Sequence, residues 1–426
     1  MMRIRGDSMD YQNITKDTAA AYIQNETNLF PKDAVLDVYE IGSDASKADD
    51  DGDGFVNFLF RVTDTRTGGS VILKQARPYA RTFESATPYV PERNTLEARL
   101  MLIKSAITPE YIPEIYLIDA PNHLYICEDC GDLKIWRFEM MAGKIYPKIP
   151  AMIGELVAKD NFYTSELYLE PETHQELEAA FANPVMRNLF ENILFLPKAI
   201  GPDDAAYPKR QALAQQVWAD HTFRTEMLKL RHIYMAKSEC LIHSDLHTSN
   251  LMVDADHMKT IDMEYAFMGA CSADSGYLIG NLIYQYVRWF YCPQAGDHTP
   301  AEMRAYALYN IRMFLESYFA VFKACWQEDV RDIYRGFDDY CDYLLDRYFH
   351  EVIGFAGAQL ISRVGRGTRT PDIDTIPEES DQIEACQILF VLAKALVMHR
   401  EDIATIGDFV DTIVRVTEDT REALGK

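Results

Sequence analysis

Two periodicities divide the chain. Early on, apolar positions recur at nearly every second residue. Ala34-Val-Leu-Asp-Val-Tyr-Glu-Ile41 and Phe55-Val-Asn-Phe-Leu-Phe-Arg-Val62 carry β-branched and aromatic side chains in this near alternation, the repeat of half-buried strands. Thr63-Asp-Thr-Arg-Thr-Gly-Gly69 then reads as a turn into a third strand, Ser70–Gln75, so an antiparallel meander is predicted. A helix over 92–105 and a short strand over Leu124–Glu128 follow. Beyond about residue 140 the spacing becomes helical, in 301–326 and 381–398, with few Gly or Pro to interrupt it. The pattern predicts an α+β protein. An antiparallel-sheet N-terminal lobe (1–128) is joined near Glu128–Gly131 to a mainly helical C-terminal lobe (129–426).

At 426 residues the chain suits two lobes. Its net charge of −24 argues against nucleic acid, which wants a basic stripe, and is read mainly as a device for solubility. No apolar run approaches the roughly 20 residues of a membrane span. The first residues, Met1-Met2-Arg3-Ile4-Arg5, carry charge without the apolar segment of a secretory signal, so a cytoplasmic protein is expected. The eight cysteines are scattered. Cys127 and Cys130 are the one close pair, no second pair follows to complete a zinc site, and reduced thiols are expected.

One biased stretch, 43–54, contains Asp49-x-Asp51-x-Asp53-Gly54, the first half of an EF-hand loop. The twelfth position is Phe60 rather than a chelating Glu, and the flanks read as strands, which disfavours calcium. The stretch is read instead as a phosphate-covering loop in which Gly52 and Gly54 allow close backbone approach.

The main chemical signal lies further on. Ile242-His-Ser-Asp-Leu-His-Thr-Ser-Asn250 places Asn250 five residues after Asp245, and Asp262 and Glu264 follow across a short hairpin. Protein kinases order a catalytic-loop Asp, an Asn five residues on and a metal-binding Asp after a hairpin in this way. A carboxylate beside a substrate hydroxyl accepts its proton, and hard oxygen ligands hold Mg2+ across the phosphates of ATP. Asp245 is therefore the expected base, with Asp262, Glu264 and Asn250 as metal ligands. Lys74 lies on the third predicted strand, where a kinase keeps the lysine that contacts phosphate. Glu97, on the following helix, is its natural partner. Glu128 and Cys130 end the fourth strand, placed to offer backbone groups to adenine. His243 and His247 lack a third metal ligand and are expected to brace the loop.

These segments resemble the methylthioribose kinases, a branch of the aminoglycoside- and choline-kinase-like superfamily. The likeness runs through Asp53–Phe60, Ile72–Ala80, Leu241–Thr248, Ile261-Asp-Met-Glu-Tyr-Ala-Phe-Met-Gly269 and Ile353-Gly-Phe-Ala-Gly357 up to Arg363. It implies a two-lobed protein-kinase-like fold with Asp245 as base, Asp262 and Glu264 on Mg2+, Lys74 on ATP and Arg363 at the substrate. It also implies phosphorylation of the 1-hydroxyl of 5-methylthioribose in methionine salvage, and a homodimer. Three departures stand out. Ser244 replaces the usual Gly, Ser362 replaces the first of two adjacent arginines, and acidic residues lengthen the glycine loop. An aminoglycoside or aminoalcohol kinase is the alternative; a nucleotide-binding regulator without catalysis is a further one.

Overall fold

The computed structural model describes residues 3–5, 11–42, 56–79, 90–197, 207–366 and 369–425. Gly52 and Gly54, expected over phosphate, lie outside them. The described chain divides into two compact units. The first comprises 1–135, 183–186 and 249–266, and the second the remainder. The hairpin carrying Asp262 and Glu264 thus groups with the sheet.

The strands of the first unit's main sheet are β1 (Arg3–Arg5), β2 (Leu36–Glu40), β3 (Phe58–Asp64), β4 (Ser70–Gln75), β5 (Ile115–Asp119) and β6 (Leu124–Glu128). They lie in the order β1-β5-β6-β4-β3-β2. All pairings are antiparallel except β1 with β5. The predicted meander is therefore one edge of a larger sheet, joined through β6 to β5 and β1. Val38, Phe60, Val62, Val71, Leu73 and Ile126 bury one face against Ala19, Tyr22 and Ile23 of α1 (Lys16–Glu26). Since successive strand residues face opposite ways, Lys74 points away from that core, towards α2 (Glu92–Ile107). On α2 the buried residues Arg93, Glu97, Leu100, Met101 and Lys104 form one stripe, charged at its two ends and apolar between. A second small sheet joins β7 (Lys134–Ile135), β9 (Leu251–Val253) and β10 (Met258–Thr260).

The second unit is mainly helical, as expected, with one strand pair, β8 (Cys240–Ile242) and β11 (Phe267–Gly269). Its helices are α3 (Trp136–Met141), α4 (Ile149–Tyr163), α5 (Pro171–Ala180), α6 (Pro184–Phe195, whose start belongs to the first unit), α7 (Pro208–Trp218) and α8 (His221–Ala236). They continue as α9 (Ala273–Arg288), α10 (Pro300–Asp329), α11 (Asp338–Gly365), α12 (Pro371–Asp374), α13 (Glu379–His399) and α14 (Ile406–Ala423). Every residue of α9 is buried, which makes it the unit's central element. Gly276 and Gly280 let α11 approach it: a Cβ at Gly276 would lie 2.3 Å from the Cβ of Phe355, and one at Gly280 would lie 2.6 Å from the Cγ of Gln359. Among the described residues, one helical segment, Glu379–Asp402, is long and apolar enough to cross a membrane. Half of its most apolar window is buried, as befits a core helix packed on α11.

The eight cysteines are all free, and seven are buried. Burial pushes the Cys127 thiol well up and that of Cys130 to about 12, which keeps both protonated.

Candidate active site

In the sheet unit, alternation along β4 and the helical repeat of α2 bring Lys74 and Glu97 face to face. Lys74 Nζ lies 2.8 Å from Glu97 Oε2 and 2.5 Å from Asp262 Oδ1. Burial alone would lower the lysine's pKa, but the carboxylates of Asp262, Glu97 and Glu264 overcome it and hold it raised, so the amine stays charged. Glu97 is itself fully buried, and that burial raises its pKa against the opposing pull of Lys74. Its Oε1 also accepts the backbone N–H of Met263 at 3.0 Å. It therefore fixes the chain just past Asp262, which adopts left-handed backbone at φ 65°.

Glu264 is held from another side. Its Oε2 accepts from Arg93 Nε at 2.9 Å and from Asn57 Nδ2 at 2.6 Å. Arg93 in turn donates to Asn57 Oδ1 at 2.7 Å. Both members of the Arg93–Glu264 pair are wholly inaccessible. Burial raises the Glu264 pKa, helped by Asp262 and opposed by Arg93. Its other oxygen, Oε1, is buried and has no hydrogen-bond partner among the described residues. Oxygens of Glu97, Asp262 and Glu264 lie within 4.8 Å of one another, a hard, anionic donor set of the kind Mg2+ takes. Asn250, the expected third ligand, is tied in through its backbone, which accepts from Ile261 N–H at 3.0 Å.

At the strand end expected to meet adenine, two groups are already engaged. The Glu128 N–H donates to Glu114 O at 2.8 Å, and Cys130 O accepts from Leu133 N–H at 2.9 Å. The Glu128 carboxylate lies 3.1 Å from Lys259 Nζ.

In the helical unit, a set of hydrogen bonds and ring contacts holds the loop carrying Asp245. Asp274, in the first turn of α9, accepts the backbone N–H of His243 at 2.6 Å and of Ser244 at 2.7 Å, two charge-assisted bonds to one carboxylate. Ser244 adopts φ 67°, the left-handed region where glycine is unstrained. Its Oγ lies 2.7 Å from the Tyr234 hydroxyl. His243 Nδ1 accepts the Asp245 N–H at 3.3 Å, so it braces the loop as expected. His247 stacks on Tyr277, with ring centroids 6.1 Å apart, and its Nε2 is 3.7 Å from Asp245 Oδ1. Burial, then the charges of Arg137 and Arg363, pushes its pKa well below the ordinary histidine range. The ring is neutral. Below the loop, Arg137 gives its backbone N–H to Thr248 O at 3.1 Å, its Nε reaches Asp372 Oδ2 at 3.2 Å, and its Nη2 donates to Asn281 at 2.7 Å.

Arg363 lies near enough to His247 and Tyr277 to influence both electrostatically. Ser362 turns elsewhere and donates to Leu194 O. Arg366 bonds the Leu196 carbonyl at 2.8 Å. Sequence reasoning passed over Arg93, Asn57, Asp274, Tyr277 and Arg137. Arg93 carried one usable signal, since it precedes Glu97 by four residues and shares its helix face.

A model of the phosphotransferase enzyme family matches residues 51–309. A methylthioribose kinase of Bacillus cereus is 29% identical over 402 residues, 94% of this chain and 96% of its own. That of Bacillus pumilus (strain SAFR-032) is 28% identical over 361 residues, 84% of this chain and 88% of its own. Among solved structures, Plasmodium vivax ethanolamine kinase aligns with 95% of this chain and 86% of its own, at 15% identity and a TM-score of 0.46.

Proposed function

We infer the activity from one premise: the chain belongs to the phosphotransferase enzyme family, whose model matches more than half of it. It is an ATP-dependent small-molecule kinase. We propose that it phosphorylates the 1-hydroxyl of 5-methylthioribose, or of a close 5-deoxy-pentose, in methionine salvage, and that it works in the cytoplasm as a homodimer. The observation that carries the sugar is that relatives bearing the name methylthioribose kinase match along 94% of the chain.

Asp245 takes the proton from the sugar hydroxyl and points the oxygen at the γ-phosphorus, which is positioning as much as basicity. The neutral His247 beside it adds no charge that would draw that carboxylate away. Lys74, kept cationic by three carboxylates, contacts the phosphates. The Cys130 N–H, which no described group accepts, serves adenine together with the C=O of Glu128. Asp262, Glu264 and Asn250 would hold magnesium, and the unpartnered Oε1 of Glu264 suits that role. When bound, the ion neutralises and orients the phosphate oxygens. Arg363 stands on the substrate side, where a fixed guanidinium stabilises anionic charge.

An ADP-release assay with methylthioribose, ATP and magnesium, run beside aminoalcohols and aminoglycosides, tests this reading. Turnover with methylthioribose well above the others is expected. No turnover above the rate with water alone would overturn it.

A further inference from the structure

Arg137 is a buried cation that stability alone does not call for. Its side chain on α3 is wholly inaccessible, and so is that of its partner Asp372, whose Oδ2 lies 3.2 Å from Nε. A buried ion pair is often no more stabilising than apolar residues of similar volume. What it adds over them is direction, because a guanidinium presents its donors in one rigid plane.

The arginine grips the end of the loop that carries Asp245. Its Nε donates to Thr248 Oγ1 at 3.3 Å, and its backbone N–H donates to Thr248 O at 3.1 Å. Its Nη2 donates to Asn281 Oδ1 at 2.7 Å, and Asn281 is itself fixed on α9 by donating to Tyr277 O at 2.9 Å. Asp372 is fixed to the same helix. Its Oδ1 accepts from Gln285 Nε2 at 2.5 Å, and its carbonyl accepts from Arg288 Nη1 at 2.9 Å. Helix α9 thus holds the loop at two points. Asp274 takes the front, at His243 and Ser244, and Arg137 ties the back, at Thr248, to Asn281. Asp245 lies between the two anchors.

We propose that Arg137 is a positioning residue for the reaction: through Thr248 it fixes the back of the loop against α9, and with it the direction in which the Asp245 carboxylate meets the substrate hydroxyl. Asp372 balances the guanidinium and keeps it in place. A base displaced by about 1 Å loses about 10²-fold in rate with its own chemistry unchanged. The inference rests on the reading of Asp245 as the base and deepens it.

The test compares the full-length enzyme with Arg137→Lys and with the double variant Arg137→Met, Asp372→Asn, which removes the cation together with the charge it balances. In the double variant the melting temperature stays near that of the unmodified enzyme, whereas kcat falls about 10- to 100-fold and the ATP KM is unchanged. Arg137→Lys keeps a charge beside Asp372 but cannot reach Thr248 and Asn281 together, so its kcat falls by less. Amide hydrogen exchange over 243–248 speeds up in the double variant and stays as it was along 273–288. An unmodified kcat in the double variant, or unchanged exchange in the loop, overturns the proposal by showing that the pair only packs. If the double variant does not fold, the lysine variant decides alone, and a full kcat there overturns the proposal. Absence of turnover by the unmodified enzyme with methylthioribose instead sinks the sugar-kinase reading, and the exchange comparison still decides the role of Arg137.

Discussion

Lys74, Glu97, Asp262, Glu264 and Arg93 interlock through short, largely buried ion pairs. Around Asp245, by contrast, two backbone N–H groups rest on Asp274, a serine meets a tyrosine and a neutral imidazole stacks on a phenol ring. In the first region each charge compensates another that burial has stripped of water, so position and charge state are fixed together. In the second, one carboxylate anchors the loop, and hydrogen bonds and ring stacking add to it. The difference suits the tasks. On the proposed reading, phosphates and metal need a fixed constellation of charge, whereas the base has to meet a hydroxyl that comes and goes with the substrate. Two kinds of failure should follow, loss of fold on one side and loss of rate on the other.

The largest expected effect is on rate. Asp245→Asn should lower kcat by about 10²–10⁴-fold while leaving ATP affinity and melting temperature near those of the unmodified enzyme. Steady-state kinetics and nucleotide titration measure both. A variant that lost stability along with rate would place Asp245 among the structural charges and erase the distinction.

The charge-locked region should fail the other way. Arg93→Met leaves the Glu264 carboxylate buried without its cation, at an expected cost of about 3–5 kcal/mol in stability. Adding Glu264→Gln should recover much of that stability without restoring activity. Urea unfolding of the two variants checks it. If the double variant were no more stable than the single one, the uncompensated charge would not be the cause.

The same contrast explains what was legible in the sequence. Lys74, Glu97, Asp262 and Glu264, which the structure brings together, stood out in the sequence because phosphoryl transfer uses those residue types in a set order. Arg93 escaped because an arginine on a helix ordinarily faces water. The strands over 58–64 and 70–75 announced themselves by alternation. β1 and β5 did not: β1 is three residues long, and β5 carries a register shift between Ile115 and Leu117. Helix α1 buries only Ala19, Tyr22 and Ile23, too few to set a period. Asp274, Tyr277 and Arg137 lie on helices outside the catalytic motif in sequence. Only packing of α9 against α11 and of α3 beneath the loop gives them roles, and no spacing rule encodes that.

Ser244 offers the finest discrimination between strain and bonding in the neutral region. At φ 67° a residue with a Cβ costs about 1–3 kcal/mol relative to an unstrained backbone, which is why the related kinases are expected to keep glycine there. Its hydroxyl returns about 0.5–1.5 kcal/mol through the bond to Tyr234, a contact 2.7 Å long between buried groups. Ser244→Ala retains the strain, loses the bond and strands the Tyr234 hydroxyl, so it should melt lowest. Ser244→Gly removes strain and bond together and should lie close to the unmodified protein. Combining Ser244→Gly with Tyr234→Phe removes the stranded hydroxyl as well and should melt highest. Thermal unfolding of the three decides the order. An alanine variant as stable as the glycine variant would mean that the strained backbone, held by Asp274 alone, costs this loop nothing measurable.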